Sequence, residues 1–317
     1  MTTSRLFTYL MLFMVGGLLS CSDHPIQSLV TPGSTANRLR VKTLTEDLPN
    51  NQTKVSLFRY DVQGRLSQIL AYQTPDSTVS AIEYSNYTYD QQNRLTGLRR
   101  EAVQYPRPRD NQQNRVEQYI YTYNPAGQLT EINYVNGFRV GFSYNSSGQL
   151  VSSNRSFSDP IANISLSGSN SFIFTGNNLS TLNSNSFASL RGPVFSSESV
   201  TTYTHDHKVN PFYSVLVIPA PSKGFINLMT GGPAFPVETY FGGVDNVLNL
   251  SRNNILSEVT NSTSTQNFIN PTSSTLSTIY QYQYNAANLP TVRTKTTTPA
   301  LNSTVTVETL RFEYESY

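Results

Sequence analysis

Tyr87-Thr88-Tyr89-Asp90-Gln91-Gln92-Asn93-Arg94-Leu95-Thr96-Gly97-Leu98 decides the fold, because near-copies of this stretch recur along the chain. Aromatics two residues apart fall on one face of a strand. The Asp that follows accepts backbone hydrogen bonds and opens a tight turn. Asn93, in the place where Gly would be best, suits left-handed backbone, and Leu95 restarts a strand. The unit reads as a β-hairpin with a four-residue loop. It specifies shape and brings no chemistry of its own.

Three further copies are complete: Phe58-Arg59-Tyr60-Asp61-Val62-Gln63-Gly64-Arg65-Leu66, Tyr121-Thr122-Tyr123-Asn124-Pro125-Ala126-Gly127-Gln128-Leu129, and Phe142-Ser143-Tyr144-Asn145-Ser146-Ser147-Gly148-Gln149-Leu150. Weaker copies stand at Phe172-Ile173-Phe174, Tyr203-Thr204-His205-Asp206 and Tyr282-Gln283-Tyr284-Asn285. Asp61, Asp90, Asn124 and Asn145 lie 29, 34 and 21 residues apart. A solenoid keeps a fixed period, so the spacing fits a meander of hairpins with variable returns. One return holds Asn136-Gly137, the strongest two-residue hairpin signal. A strict two-residue loop there puts Phe138, Val140, Phe142 and Tyr144 on one face, with Ile132 and Tyr134 on the other. Either a bulge switches the face or both faces are covered.

Composition agrees with strands. Tyr (20) and Phe (16) are abundant, and hydrophobic residues make up 37% against 13% charged, so Asn, Ser and Thr must supply the surface. A formal charge of +2 without a basic cluster argues against nucleic acid as a partner.

At the N-terminus, Arg5 precedes an apolar run from Leu6 to Leu19. As a helix this run would span roughly 21 Å, short of the about 30 Å of a bilayer core, so it reads as an export signal rather than an anchor. Its end, Leu18-Leu19-Ser20-Cys21, resembles the lipobox of bacterial lipoproteins. The resemblance implies removal of residues 1–20 and acylation of Cys21, which ties the chain to a lipid membrane. Cys21 is the one cysteine, so no disulfide framework exists. Residues 21–40, with Pro25, Pro32 and Gly33, read as a flexible tether, and 41–317 as a single all-β domain.

The aromatic-x-aromatic-Asx-x-x-Gly-x-Leu unit resembles the tyrosine-aspartate repeat of Rhs-type proteins. It is also similar to hairpins of uncharacterised Gram-negative envelope lipoproteins, in which Asn-Pro-Phe and Asn-Asn-Ile segments recur; here these match Asn210-Pro211-Phe212 and Asn253-Asn254-Ile255. Rhs shells are longer and close on a self-cleaving Asp-Pro element. Asp159-Pro160 lacks that setting, so encapsulation of a toxin is not implied.

Chemistry is sparse. His205 and His207 share a strand face, but the only other His is His24 in the tether, so no metal site is expected. Glu83, Glu101, Glu131, Glu198 and Glu238 could supply a hydrolytic carboxylate pair, yet nothing singles out two of them, and no catalytic residue or cofactor is assigned. Under the strict hairpin, Glu131 would lie beside Phe142. Phe235, Tyr240 and Phe241, in a Pro- and Gly-rich insertion, form the candidate ligand-binding group. Residues 262–276 and Arg107-Pro108-Arg109-Asp110 read as loops, Phe241 to Leu250 as holding a turn or two of helix, and Val305 to Tyr314 as a last strand.

The expectation is an all-β protein of 14–18 antiparallel strands, forming an extended curved sheet or an irregular barrel of repeated hairpins. Its expected role is a non-enzymatic outer-membrane lipoprotein, periplasmic or surface-facing, that is structural or binds a glycan or an envelope protein. The alternative is an envelope glycan hydrolase. A spanning barrel is a third reading, weakened by the many polar residues on both strand faces.

Overall fold

The computed structural model describes residues 32–34, 38–48, 50–75, 81–104, 115–134, 137–161, 163–215, 247–267, 269–299 and 304–317. A two-residue bridge, β1 (Gly33–Ser34), precedes β2 (Leu39–Leu48), β3 (Gln52–Tyr60), β4 (Leu66–Thr74), β5 (Ala81–Tyr89) and β6 (Leu95–Gln104). Next come β7 (Arg115–Tyr123), β8 (Leu129–Tyr134), β9 (Arg139–Tyr144), β10 (Leu150–Asp159), β11 (Ile164–Thr175) and β12 (Asn178–Leu190). The chain finishes with β13 (Val194–Val209), β14 (Asn253–Gln266), β15 (Ile269–Tyr284), β16 (Pro290–Pro299) and β17 (Thr306–Ser316). β2 to β17 pair antiparallel with their sequence neighbours, and β17 pairs with β2. The result is a closed, sixteen-stranded, up-and-down barrel. It is the barrel alternative, not the open sheet, that the chain adopts.

Each repeated unit is tighter than its sequence suggests. Asp61 N–H donates to Arg65 O (2.9 Å), and Gly64 N–H donates to Asp61 O (2.9 Å) with Gly64 at φ +81°. The same two bonds close the hairpins at Asp90/Arg94, Asn124/Gln128, Asn145/Gln149 and Asn285/Leu289. The loop therefore holds three residues, a type I turn followed by a left-handed residue. The Asx side chain explains the difference. Its Oδ1 accepts the N–H four residues on (Arg65, Arg94, Gln128, Gln149, Leu289), which caps the loop one residue early.

The Asn136-Gly137 return follows the same rule. Tyr134 N–H donates to Phe138 O (2.8 Å), and Gly137 N–H to Tyr134 O (2.9 Å). Tyr134 thus faces Phe138, not Val135, and Ile132, Tyr134, Phe138 and Val140 are all buried on the inner face. Glu131 pairs with Gly141 and so lies on the outer face, away from Phe142.

Two other expectations are corrected. Residues 262–266 and 269–276 are not a loop: they are the end of β14 and the start of β15, and Asn267 after the first and Asn270 within the second both have φ +52°. Ser, Thr and Asn stabilise this ladder through cross-strand bonds such as Ser262 Oγ to Ser274 Oγ (2.8 Å) and Thr275 Oγ1 to Asn261 Oδ1 (2.8 Å). Asp206 does not open a hairpin, because β13 continues to Val209 with two register shifts. Within Phe241 to Leu250, the described residues hold one 3-10 turn, Leu248–Leu250. Arg107 to Asp110 lie outside the described residues.

The wall is uneven. β8 and β9 have 6 residues each, whereas β13 and β15 have 16. The apolar core fills the end of the barrel that carries the Asx turns, around Leu66, Leu95, Leu129, Ile132, Leu150 and Leu179.

Candidate functional site

The barrel interior is layered from the turn end upward. In the first layer a tyrosine near the turn end of a strand, in four cases the one that precedes an Asx turn and in the fifth Tyr314 on the last strand, donates its hydroxyl to a backbone carbonyl of the preceding strand. The bonds are Tyr60 to Val41 O (2.5 Å), Tyr89 to Leu66 O (2.7 Å), Tyr123 to Leu95 O (2.7 Å), Tyr144 to Leu129 O (2.8 Å) and Tyr314 to Pro290 O (2.8 Å). Burial pushes each of these phenols well above its ordinary pKa, so they stay neutral donors. Arg40, Arg65 and Arg94 lie over the rings of Tyr60, Tyr89 and Tyr123 at 4.0, 4.5 and 5.2 Å. The repeat is thereby a stitch between hairpins.

Above the leucines, β3 and β5 to β7 turn charged groups inward. Lys54 Nζ reaches Glu83 Oε1 at 3.0 Å, Arg100 Nη2 reaches Glu83 Oε2 at 2.9 Å, and Arg100 Nη1 lies 3.7 Å from Glu117 Oε2. Tyr119 OH donates to Glu117 at 2.6 Å. Both carboxylates are therefore already bound to protein donors. Such pairing suits a structural belt better than an acid–base pair, which needs a carboxyl free to meet a substrate.

Part of the insertion between β13 and β14 enters the barrel. Asn210, Ser214, Val215, Val247, Asn249 and Leu250 are buried, and Asn210 Nδ2 donates to Leu248 O (3.1 Å) and Ser251 O (3.0 Å). Phe212 packs between Phe58 and Phe312, with ring centroids 6.4 and 6.3 Å away. The Asn-Pro-Phe segment is thus an internal plug, and a cavity of about 30 Å³ lies beside it. Asp206 anchors the plug's entry: it accepts from Lys208 N–H (2.8 Å), Asn254 N–H (3.1 Å) and the Tyr284 hydroxyl. His205 Nε2 bonds Ser251 Oγ at 3.0 Å, and burial pushes its pKa down against the opposing pull of Asp206. His207 is exposed. No group of three or more metal-ligating side chains occurs among the described residues.

Open space lies instead on the long wall, β11 to β15. A cavity of about 590 Å³ sits at its rim, lined among others by Arg155, Ser186, Phe195, Ser197, Ser264 and Asn270. A second, of about 580 Å³, lies on the outer face. It is floored by two rows that cross five strands. One row runs Ser171, Asn183, Val200, Asn261, Thr275, and the other Ser169, Asn185, Glu198, Thr263, Ser273. Rungs sit roughly 4.8 Å apart, so each row is a ruler roughly 20 Å long whose hydroxyl and amide groups are interrupted at the middle rung, by Val200 in one and the Glu198 carboxylate in the other.

The sequence did not mark this trough, because its side chains alternate with inward ones on strands far apart in sequence; the Ser/Thr/Asn density of 165–200 and 257–278 was the available signal. Phe235, Tyr240, Phe241 and Glu238 lie outside the described residues, as does Cys21. Glu101 is on the outer face beside Arg99, and Glu198 lies in the trough.

No protein-family model matches the chain, and no curated protein matches it. Among solved structures, the chain is similar to a porin-like protein from Bacteroides uniformis at 12% identity, over 86% of this chain and 96% of that one, with a TM-score of 0.38. A porin-like protein from Bacteroides vulgatus matches at 12% identity, over 87% and 98%, with a TM-score of 0.35. A TcdB2-TccC3-Cdc42 structure matches at 13% identity, over 79% of this chain and 15% of that one, with a TM-score of 0.25.

Proposed function

We propose that this protein is a non-enzymatic cell-envelope barrel, tethered to the outer membrane through acylated Cys21, that binds an extended polar ligand of glycan type in the outer trough of β11 to β15. The observation that carries the reading is the pair of five-strand polar rows beneath a cavity of about 580 Å³. A hydroxyl- and amide-lined floor offers both donors and acceptors at a regular spacing, as a chain of sugar hydroxyls requires. The interior supports a scaffold role, since the plug and the leucine core fill the turn end and the belt carboxylates are already bound.

Tethering is favoured over spanning by the outer surface. Asn133, Arg139, Gly141, Ser143, Ser152, Asn154 and Ser156 face outward on β8 to β10, where a lipid-facing barrel carries a continuous apolar band.

Binding of soluble peptidoglycan fragments and lipopolysaccharide core oligosaccharides, measured by calorimetry, tests the reading. Wild type should bind at least one of them, and Asn183→Trp with Asn185→Trp, which fills the trough, should weaken that binding about tenfold, a loss of roughly 1.4 kcal/mol. Binding unaffected by the filled trough, or no binding to either class, refutes the trough. In cells, Cys21→Ala should move the protein from the membrane to the soluble fraction.

A further inference from the structure

The outer face of the opposite wall has a different chemistry. On β3 to β7 the outward positions include Val55, Leu57, Leu70, Tyr72, Ile82, Tyr84, Val103 and Val116. Their inward neighbours (Ser56, Phe58, Ile69, Ala71, Ser85, Ala102) are buried, so the alternation itself points these side chains out. They are contiguous. Leu57 lies across from Leu70, Leu70 across from Tyr84, Val55 across from Tyr72, and Ile82 across from Val103. Val116, 44% exposed, extends the patch across Glu101. The outward positions of β10 to β12 are Ser, Asn and Thr with only Ile173 and Phe187 among them. Exposed apolar side chains also stand outward on β13 to β17 (Val200, Val259, Ile279, Val307), but each faces Ser, Thr or Asn on the neighbouring strands, whereas on β3 to β7 apolar side chains face one another, and a contiguous patch of this kind marks a contact surface.

We propose that this patch rests on the lipid surface, laying the barrel on its side against the bilayer that holds Cys21; the inference rests on the lipid anchor proposed above. Three observations select lipid as the occupant. The chain joins the barrel at Pro32 to Ser34, where β1 pairs with the start of β2, one strand from the edge of the patch. From Cys21 to Pro32 the chain spans at most about 40 Å, little more than the roughly 30 Å length of β3, so a barrel held there stays beside the membrane. The patch also has the make-up of an interfacial surface: aliphatic side chains with Tyr72 and Tyr84, whose rings combine an apolar body and a polar tip, and exposed Arg59 at its turn-side edge. The geometry also serves the trough. β5, at the centre of the patch, and β13, at the centre of the trough, lie eight strands apart around a ring of sixteen. Docking on β3 to β7 thus turns the trough directly away from the bilayer.

The experiment uses the full chain, expressed with its leader so that Cys21 is consumed by lipid. Single label sites are added at Tyr72→Cys or Val116→Cys in the patch and at Asn183→Cys in the trough. Each protein is labelled with an environment-sensitive fluorophore and reconstituted on phosphatidylethanolamine/phosphatidylglycerol vesicles that carry nitroxide-labelled lipid. The expected result is blue-shifted, strongly quenched emission from both patch labels and neither effect at 183. Patch labels as water-exposed as the trough label, on protein that floats with the vesicles, overturn the docking while leaving the anchor intact. Protein that fails to float overturns the anchor and the docking together. Shielding of the patch labels without vesicles, growing with protein concentration, means a second copy covers the face and also overturns the proposal.

Discussion

Removing the hydroxyls of Tyr89, Tyr144 and Tyr314 tests whether the repeat works as a stitch between hairpins. Each hydroxyl donates one bond, at 2.7 to 2.8 Å, to Leu66 O, Leu129 O or Pro290 O. Tyr→Phe keeps the ring in its packing and deletes that bond alone. A hydrogen bond of this kind contributes about 1 kcal/mol net, and the half-buried carbonyl left behind pushes the cost toward the upper part of the range, about 1.5 kcal/mol. Tyr89 and Tyr144 precede the turns of two separate hairpins, Tyr314 lies on the last strand, and the three share no hydrogen-bond partner, so their costs add, to about 4.5 kcal/mol in the triple variant. Equilibrium urea unfolding followed by far-ultraviolet circular dichroism reads the effect. Tyr72→Phe, on the outer face, is the control and should stay within about 0.5 kcal/mol of wild type. A triple variant no less stable than that control would falsify the stitch, and with it the account of why aromatics sit where they do in the unit.

Two further predictions concern the turns. Gly127 has φ +79°, and a Cβ placed on it would meet nothing within 4 Å, so Gly127→Val should cost about 1–3 kcal/mol through backbone strain alone. Gly127→Asn should be tolerated, because Asn93 and Asn288 hold the equivalent place at φ +62° and +59°; equal urea midpoints for the two variants would refute the assignment. At Asp61, burial pushes the carboxyl pKa up, but hydrogen bonds from Arg65 N–H, the Arg65 guanidinium and Gln63 N–H outweigh it and hold the value below the ordinary range. A folded pKa below the unfolded one gives stability that is present above the unfolded value and lost as pH falls through the folded one, here from about pH 4 downward. Asp61→Asn should flatten that acid limb of the urea midpoint against pH, and an unchanged limb would count against it.

The hairpins were legible because their signal is local: an Asx, a left-handed residue three positions on and a Leu fix the turn whatever surrounds it. The loop length was misjudged by one because the competition of Asp61 Oδ1 for the Arg65 N–H is a side-chain effect that spacing does not display. The same template misled at Tyr203 to Asp206, where Asp206 accepts the Lys208 N–H but also binds Asn254 and Tyr284 from other strands, and the strand runs on to Val209. Residues 262–276 looked like a loop because their polarity resembles one, yet a Ser/Thr ladder between two polar faces satisfies the backbone as well as a buried sheet does. The trough was illegible for a related reason: its rows join Ser169 to Ser273 through strand register, a sum over four hairpins that no single window contains.

The pairing of β17 with β2 bears on how the barrel comes to exist. Every other seam of the barrel joins strands that follow one another in the chain, so each can form as its hairpin is made. The last seam joins residues more than 260 positions apart, through pairs such as Arg311 with Asp47 and Arg40 with Glu315. Bringing such distant segments together costs about 5 kcal/mol in chain entropy beyond a constant, which the earlier seams largely offset by shortening the free path. Until Thr306 to Ser316 docks, the sheet has two open edges, at β2 and at β16. A chain in that state needs protection from pairing with other chains, and the step that removes the hazard is the arrival of its final strand.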